Sequence, residues 1–401
     1  MDLTGALLRI AIPRAFVVAA PGSTGIRLAV ERELRLRGWA VALTPANSDI
    51  LTVCGNGEAV FDEVVDRLWD QIPSPRALVR ITRPGAVALQ LDEARTGLCD
   101  LAALQADAGH RSNADVSNMD HGAARTAGQD VDSRDMGMAG HDMDSHDMGM
   151  AGHDTGHMDM DMDMPGGIPM ADRSADRDGL TLDQLHVALG PALPYWPPGL
   201  IVRLVLQGDI VQTAESEIDA GRAGSSFWLD TEASADDRVR VRVAAAADSL
   251  QRLLSVAGWR SAAATGCWLR DELLASGPGK ALDPRFVRWI RRVRRSRVLR
   301  WSTNGLGQVG LDGVAGLRGD VSDRWLRWTG EIASLIDAPA DHTRPAAVAW
   351  GAQRAEFTRA SLSLLPALLT GQEFASARLI VASFDPDLEA LHAHAAGGSR
   401  G

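Results

Sequence analysis

The stretch Ala15-Phe-Val-Val-Ala-Ala-Pro-Gly-Ser-Thr-Gly25 decides the fold of the amino-terminal part of this chain. Its apolar run ends at Pro21-Gly22, which is the pattern of a buried parallel strand followed by a turn. The apolar residues after Thr24 then have helical spacing, and Gly38 is expected to end this helix. A strand, a tight turn and a helix in this order predict the first half of a βαβ unit.

The same alternation continues through the first hundred residues. Ile50-Leu-Thr-Val-Cys54 is a second buried strand, and Ala59 to Ile72 has the spacing of an amphipathic helix. Ala77-Leu-Val-Arg-Ile81 and Val87-Ala-Leu-Gln-Leu91 are predicted as further strands. Residues 1–105 are therefore expected to form an α/β domain, with a small parallel sheet and helices that cover it.

Residues 179–401 have a different pattern, that of an antiparallel hairpin followed by helices. The predicted strands are residues 185–189, residues 199–206 and the residues from Ile210 onward, with a turn at Gln207-Gly-Asp209. Helices are expected from Asp237 and from Pro284 to about Trp301, and a final strand at Ala377-Arg-Leu-Ile-Val381. This pattern predicts an α+β domain, a hairpin sheet with a helical bundle.

A polar insert, residues 106–178, separates the two predicted domains. It carries sixteen Asp, no Glu, five Arg and no aromatic residue, so it cannot build a core and is expected to be disordered. Its net charge of −11 equals that of the whole chain, which leaves the remainder balanced. The acidity therefore says nothing about a nucleic-acid partner, and none is expected.

The insert is rich in methionine and histidine as well as aspartate. Residues 119–170 hold eleven of the twelve methionines of the chain, and the run Asp-Met-Gly-Met-Ala-Gly-His-Asp occurs twice, from Asp135 and from Asp147. Thioether and imidazole groups bind soft and borderline metal ions such as copper. The candidate ligands are His121, Met136, Met138, His141, Met143, His146, Met148, Met150, His153, His157, Met158, Met160, Met162 and Met164. The alternative is a plain linker, which does not need eleven methionines.

Cysteine usage and hydropathy limit the remaining possibilities. Cys54, Cys99 and Cys267 form no CxxC motif, and a lone thiol of this kind is usually a small buried apolar side chain. No apolar run is long enough to span a bilayer, and the first residues contain no long apolar signal core. We expect a cytoplasmic protein that can be peripheral at the membrane through partner subunits.

An arginine-rich helix is predicted near position 290. Eight arginines lie between residues 285 and 300, and Phe286, Trp289, Ile290 and Val293 share one face. Such a helix can bind an anionic membrane or an acidic partner, can be a core helix with solvated arginines, or can hold the acidic insert. His186, His342, His392 and His394 are scattered and are expected to be structural or surface residues, and no hydrolytic arrangement is visible.

The order of these motifs resembles a fusion of two redox-enzyme subunits. Residues 16–25, 48–55 and 68–79 resemble the small, cluster-binding subunit that NADH–quinone oxidoreductase, or complex I, shares with NiFe hydrogenases. Residues 190–209, 294–301, 305–319 and 379–387 resemble the large subunit that is its partner in both enzymes. The resemblance implies that the carboxyl-terminal domain is hydrogenase large-subunit-like and docks on the amino-terminal one.

The residues that carry the family's chemistry are replaced. The family's small subunit holds a [4Fe–4S] cluster through four cysteines, yet Pro21-Gly-Ser-Thr-Gly-Ile26 stands at the first pair and has no thiol. The quinone loop Gly-Pro-Gln-His-Pro reads Gly190-Pro-Ala-Leu-Pro194, so Leu193 replaces its first histidine, and the second is replaced within Tyr195-Trp-Pro-Pro198. Neither an iron–sulfur nor a NiFe cofactor is expected. A phosphate-binding turn at Pro21–Gly25 is the weaker alternative to a degenerate cluster loop.

Three functions remain open. The first is a non-catalytic or accessory relative of complex I and NiFe hydrogenase, a pseudoenzyme whose partners are the other subunits of a membrane-associated redox complex. The second is a metal-handling protein that binds copper through the insert. The third, an active quinone-linked oxidoreductase subunit, fits least because its ligands are missing.

Overall fold

The apolar runs of the first hundred residues pair as a parallel sheet in the computed structural model, which describes residues 11–100, 102, 104–107, 109, 173–175, 181–219, 226–229, 235–276, 284–314, 316–337 and 347–398. The strands are β1 (Arg14–Ala19), β2 (Ala40–Val41), β3 (Ile50–Cys54) and β4 (Ala77–Ile81). They lie in the order β2–β1–β3–β4, with Ala15 paired to Ile50. Every residue of β3 is buried, as expected for a central strand covered on both faces.

Three helices cover this sheet: α1 (Thr24–Leu36), α2 (Ala59–Asp70) and α3 (Val87–Gly97). Val30 and Leu34 of α1 share one core with Leu91 of α3, whereas Phe61 of α2 lies in the core of the other face. The strand predicted at residues 87–91 is wrong, because these residues begin α3. Its buried positions, Val87, Leu91 and Ala94, recur at helical spacing, and the pattern shows only when the window extends past residue 91.

The second part of the chain begins with an antiparallel sheet. Its strands are β5 (Arg173–Ala175), β6 (Thr181–Leu189), β7 (Leu200–Gln207) and β8 (Ile210–Ile218), in that order. The tight turn between β7 and β8 falls at Gly208, whose φ of 63° suits a glycine. The hairpin predicted from residues 199–206 and from Ile210 onward is therefore confirmed.

Helices make up the rest of the second part. They are α4 (Ala235–Val256), α5 (Arg260–Ala275), α6 (Pro284–Arg294), α7 (Arg297–Thr303), α8 (Val321–Asp337), α9 (Ala347–Leu369), α10 (Phe374–Phe384) and α11 (Leu388–Gly398). The strand predicted at residues 377–381 is wrong, since these residues lie inside α10 with Ala377, Ile380 and Val381 buried. The single helix expected from Pro284 to Trp301 is broken, because Ser296 begins α7 by accepting a hydrogen bond from the amide of Leu299 at 3.2 Å.

The two parts share their cores. Leu28 of α1 packs in the large core of the second part, and Ala192 packs in a core of the parallel sheet. Residues 1–104 and 173–401 accordingly cluster as one compact unit. The fold is an α/β part joined to an α+β part, and no helix of the described residues is long and apolar enough to cross a membrane.

Candidate functional site: the junction of the two parts

A buried ion-pair network joins α1 to the helices of the second part. Arg27 and Glu31 stand one turn apart on α1, so both side chains point to the same side. Arg27 Nη2 lies 2.7 Å from Asp248 Oδ2 on α4, and Arg270 Nη1 on α5 lies 2.8 Å from Glu31 Oε2. Arg270 also contacts Asp248, at 2.6 Å. Four side chains from three helices thus form one connected cluster.

Two further pairs extend this cluster at its edges. Arg35 of α1 lies 2.6 Å from Asp271 of α5. Arg252 of α4 lies 2.6 Å from Asp385, at the end of α10. The junction network therefore comprises four arginines and four carboxylates, namely Arg27, Arg35, Arg252, Arg270, Glu31, Asp248, Asp271 and Asp385. Equal numbers of both signs allow these charges to be buried together.

The network fixes the charge state of two of its carboxylates, Asp248 and Glu31. Burial alone would raise the pKa of Asp248, but the guanidinium groups of Arg27, Arg252 and Arg270 outweigh it and hold that pKa well below its usual range. Burial likewise opposes ionisation of Glu31, and Arg27 with Arg270 lowers its pKa. Both groups are therefore anionic at neutral pH.

A cavity of about 450 Å³ lies beside this network, between the two parts of the chain. Its apolar wall includes Trp39 and Val41 from the first part and Leu193 and Trp196 from the second. Its polar side is formed by Arg27, Glu31, Arg252 and Arg260. An apolar chamber with charge concentrated on one side suits an amphiphilic small molecule.

The loop at residues 190–198 gives the cavity its shape. Gly190 has a φ of 91°, and a Cβ there would overlap the carbonyl oxygen of Leu200, so no larger residue fits. The indole nitrogen of Trp196 donates a 2.7 Å hydrogen bond to that same carbonyl and holds the loop against β7. Leu193 of this loop lines the cavity as an apolar side chain.

Tyr195 and Cys267 are the two neutral titratable groups of the cavity wall. Tyr195 is the single tyrosine of the chain and has the unusual φ of 59°. Burial raises the pKa of Tyr195 to about 12, although a hydrogen bond with Ser255 opposes the shift. Burial also raises the pKa of Cys267 to about 12, and its thiol lies 3.2 Å from the amide oxygen of Gln251. Both groups stay protonated at neutral pH, so Cys267 is a poor nucleophile.

The turn before α1 binds a carboxylate of the protein itself. The amide of Thr24 donates a 2.9 Å hydrogen bond to Glu389 Oε1, and the amide of Phe227 donates to Oε2 at 3.1 Å. Glu389 comes from α11, and burial raises its pKa although the two amide donors oppose this. Because this carboxylate occupies the helix N-terminus, the position that a phosphate would need is already filled.

The cluster chemistry of the resembling family does not fit this site. A [4Fe–4S] cluster is held by cysteine thiolates, and the turn after β1 offers only the hydroxyl groups of Ser23 and Thr24. Cys54, at the end of β3, is fully buried, and burial raises the pKa of its thiol far above the usual range. The donor set at this junction is thus made of hydroxyl groups, guanidinium groups and carboxylates, together with the single protonated thiol of Cys267.

The metal ligands proposed from the sequence, from His121 to Met164, all lie outside the described residues. Within the described ranges, no group of three or more His, Cys, Asp and Glu side chains is arranged to hold a metal ion. His186 lies exposed on β6, while His392 and His394 lie on α11, away from the junction cavity. His342 lies outside the described residues.

The arginine-rich helix is a core helix. The apolar face of α6 is buried, namely Phe286, Trp289, Ile290 and Val293. This confirms the prediction of a core helix for the apolar face. Gly266 of α5 makes room for this packing, since a Cβ there would lie 2.7 Å from the Trp289 ring. The apolar face of α6 is therefore not available to a membrane or a partner.

Sequence reasoning missed most of the junction. Arg27, Glu31, Asp248 and Arg270 look like ordinary charged residues of amphipathic helices, and only their burial distinguishes them. One signal was available: Arg27 and Glu31 fall on the apolar side of α1, with Leu28 and Leu34. Tyr195, as the single tyrosine beside the Gly-Pro loop, was a second signal.

No protein-family model matches this sequence, and no curated protein matches it significantly.

Proposed function

We propose that this chain is a non-catalytic relative of the paired small and large subunits of NADH–quinone oxidoreductase and NiFe hydrogenase. It acts as an accessory component of a membrane-associated redox complex and binds a quinone-type amphiphile at its junction. The observation that carries the proposal is the cavity between the parallel sheet and the loop at residues 190–198. By its resemblance, this loop corresponds to the quinone loop of the large subunit.

The size and lining of the cavity support a ligand of this kind. About 450 Å³ lies within the range of small-molecule sites, roughly 300–1,000 Å³. Trp39, Leu193 and Trp196 can contact an apolar ring or tail, whereas Arg252 and Arg260 offer donors to carbonyl oxygens. A neutral molecule with two carbonyl groups and an apolar remainder matches this distribution.

The replaced residues support a binding role rather than electron transfer. Leu193 offers no proton to a bound carbonyl, and the turn at Ser23 offers no thiolate for an electron donor. We therefore expect the ligand to be held and not reduced. An active quinone-linked oxidoreductase is the alternative that this donor set supports least.

Calorimetric titration of the purified full chain with decylubiquinone tests the binding. We expect saturable binding that Ala264→Trp weakens at least tenfold, because Ala264 lines the cavity and the indole would fill it. Ala395→Trp is the matched control, since Ala395 is exposed on α11 and does not line the cavity. Equal affinity of the two variants, or no binding by the parent chain, would refute a quinone site at the junction.

Anaerobic incubation of the complex with NADH or dithionite separates the accessory role from catalysis. The proposal expects decylubiquinone to be reduced at the same rate with and without the protein. Faster reduction with the parent chain, lost in Ala264→Trp, would favour the oxidoreductase alternative.

We propose metal binding by residues 119–164 as a second function, carried by the ten methionines of this segment. Thioether groups select Cu(I), and the five histidines add donors that also suit Cu(II) and Zn²⁺. This function does not depend on the junction cavity, so the two proposals can fail separately.

A further inference from the structure

We propose that α6, α7 and the turn between them present an arginine surface that binds directly to anionic phospholipid membranes. The arginine surface comprises Arg285, Arg288, Arg291, Arg292, Arg294, Arg295, Arg297 and Arg300, together with Val298 and Trp301. This inference is independent of the junction cavity and of any partner subunit. It rests on the charge, the exposure and the pairing of these side chains.

The arginine surface has a high density of positive charge. Residues 284–311 contain eight arginines and no aspartate or glutamate, and all eight arginines are exposed. Arg285 and Arg292 lie over the rings of Trp268 and Trp259, at 4.0 and 5.3 Å from the ring centroids. From Arg288 to Arg300, none of the seven arginines forms an ion pair with a carboxylate of the described ranges. These cations are thus available to an external anion.

Apolar side chains stand among these cations. Val298 is 74% exposed and Trp301 is 84% exposed, and their spacing of three residues places both on the outer side of α7. The inner side of α7 is anchored by Leu299 and Thr303, which are buried. Leu311, in the turn that follows, is 82% exposed. Tryptophan and arginine side by side are typical of protein surfaces that lie at the headgroup level of a bilayer.

The apolar members favour a membrane over a nucleic acid. Single-stranded nucleic acids bind through bases stacked on aromatic rings, and Trp301 could serve that purpose. Val298 and Leu311 are aliphatic and offer no stacking platform, whereas the acyl region of a bilayer accepts them. The buried face of α6 also means that contact takes place through side-chain tips and not by insertion of the helix.

Co-sedimentation of the full chain with vesicles of equal parts phosphatidylcholine and phosphatidylglycerol tests the proposal. We expect binding to these vesicles, and none to phosphatidylcholine alone. The triple variant Arg294→Gln, Arg297→Gln, Arg300→Gln should bind roughly a hundredfold more weakly, since each arginine near an anionic surface strengthens binding roughly fivefold. Trp301→Ala should weaken binding several-fold without changing the melting temperature, because its ring is exposed.

A matched charge control uses Arg32→Gln, Arg83→Gln, Arg359→Gln, three exposed arginines on other elements. This variant should keep most of the affinity, because it removes the same charge from other faces. Equal losses in the two triple variants would show that net charge alone attracts the vesicles, and would overturn the proposal. So would failure of the full chain to sediment with the anionic vesicles, or displacement from them by a trace of single-stranded DNA.

Discussion

Arg27 and Asp248, which are 221 residues apart in the chain, form a buried ion pair with 2.7 Å between Nη2 and Oδ2. The pair joins α1 to α4, and Arg27 lines the junction cavity. Arg270 donates a hydrogen bond to the same carboxylate from α5. Asp248 therefore accepts hydrogen bonds from one arginine of each part of the chain. This arrangement makes the junction a stability determinant as well as a candidate binding site.

Arg27→Ala should lower the free energy of unfolding by about 3–5 kcal/mol, because it leaves a buried carboxylate with one cation fewer. Urea denaturation followed by circular dichroism measures the change. Arg67→Ala is the control, since its pair with Glu63 is exposed on both sides and should contribute less than about 1 kcal/mol. An equal decrease in the free energy of unfolding in both variants would contradict a greater contribution of the junction ion pairs to stability.

The junction should also make the protein sensitive to acid. The pKa of Asp248 is lowered in the folded state, so the unfolded chain takes up a proton first as pH falls. Stability from this group is therefore complete above the pKa of the unfolded aspartate, about 3.9, and is lost as pH falls below it.

Asp248→Asn should accordingly be less stable at neutral pH, with a shallower fall of stability between about pH 5 and pH 3. The exposed Glu63→Gln serves as the control and should keep the parent slope. An unchanged slope in Asp248→Asn would argue against this carboxylate as the acid-labile group.

Tyr195 can be titrated without interference, because the chain has a single tyrosine. Absorbance of the phenolate should rise with a midpoint near pH 12 in the folded protein, since burial raises its pKa to about 12. In urea the midpoint should move to about 10, the usual value for an exposed tyrosine. A native midpoint near the urea value would mean that the cavity wall is open to solvent at this position.

Deletion of residues 119–164 should abolish binding of Cu(I), measured by anaerobic competition with a chromophoric chelator. The melting temperature should stay nearly the same, because the compact unit is built from residues 1–104 and 173–401. A second variant keeps the length of the chain and replaces Met136, Met138, Met148 and Met150 with leucine. It should lose most of the affinity for Cu(I). Copper binding as strong as that of the parent chain in either variant would show that the methionines are not the copper ligands.

The sequence predicted the elements whose period is unambiguous. β1 and β3 are short apolar runs bounded by Pro-Gly or glycine, and the hairpin at Gly208 has its turn residue at the expected place. The failures at residues 87–91 and 377–381 have one cause. A five-residue apolar run fits both a buried strand and one side of a buried helix, and only the residues beyond it decide.

The candidate site was far less accessible from sequence. The Gly190–Pro194 segment was identified as a loop of interest, and it does line the cavity through Leu193. The ion pairs that define the polar side join residues as distant as Glu31 and Arg270, 239 positions apart. The periodicity of the sequence cannot predict such an ion pair, because the pairing depends on the packing of one helix against another.

The hydrogen bond from Thr24 to Glu389 spans 365 residues and completes the first turn of α1. At a synthesis rate of about 5–20 residues per second, Glu389 is made roughly 20–70 s after Thr24. The amide of Thr24 has no hydrogen-bond acceptor on Glu389 during this time. Arg27 and Glu31 of α1 likewise lack their partners Asp248 and Arg270 for roughly 10–50 s of synthesis. The nascent chain is therefore a natural client for chaperones until α11 has been made, and loss of the Glu389 carboxylate would be felt first at the amino-terminal end of α1.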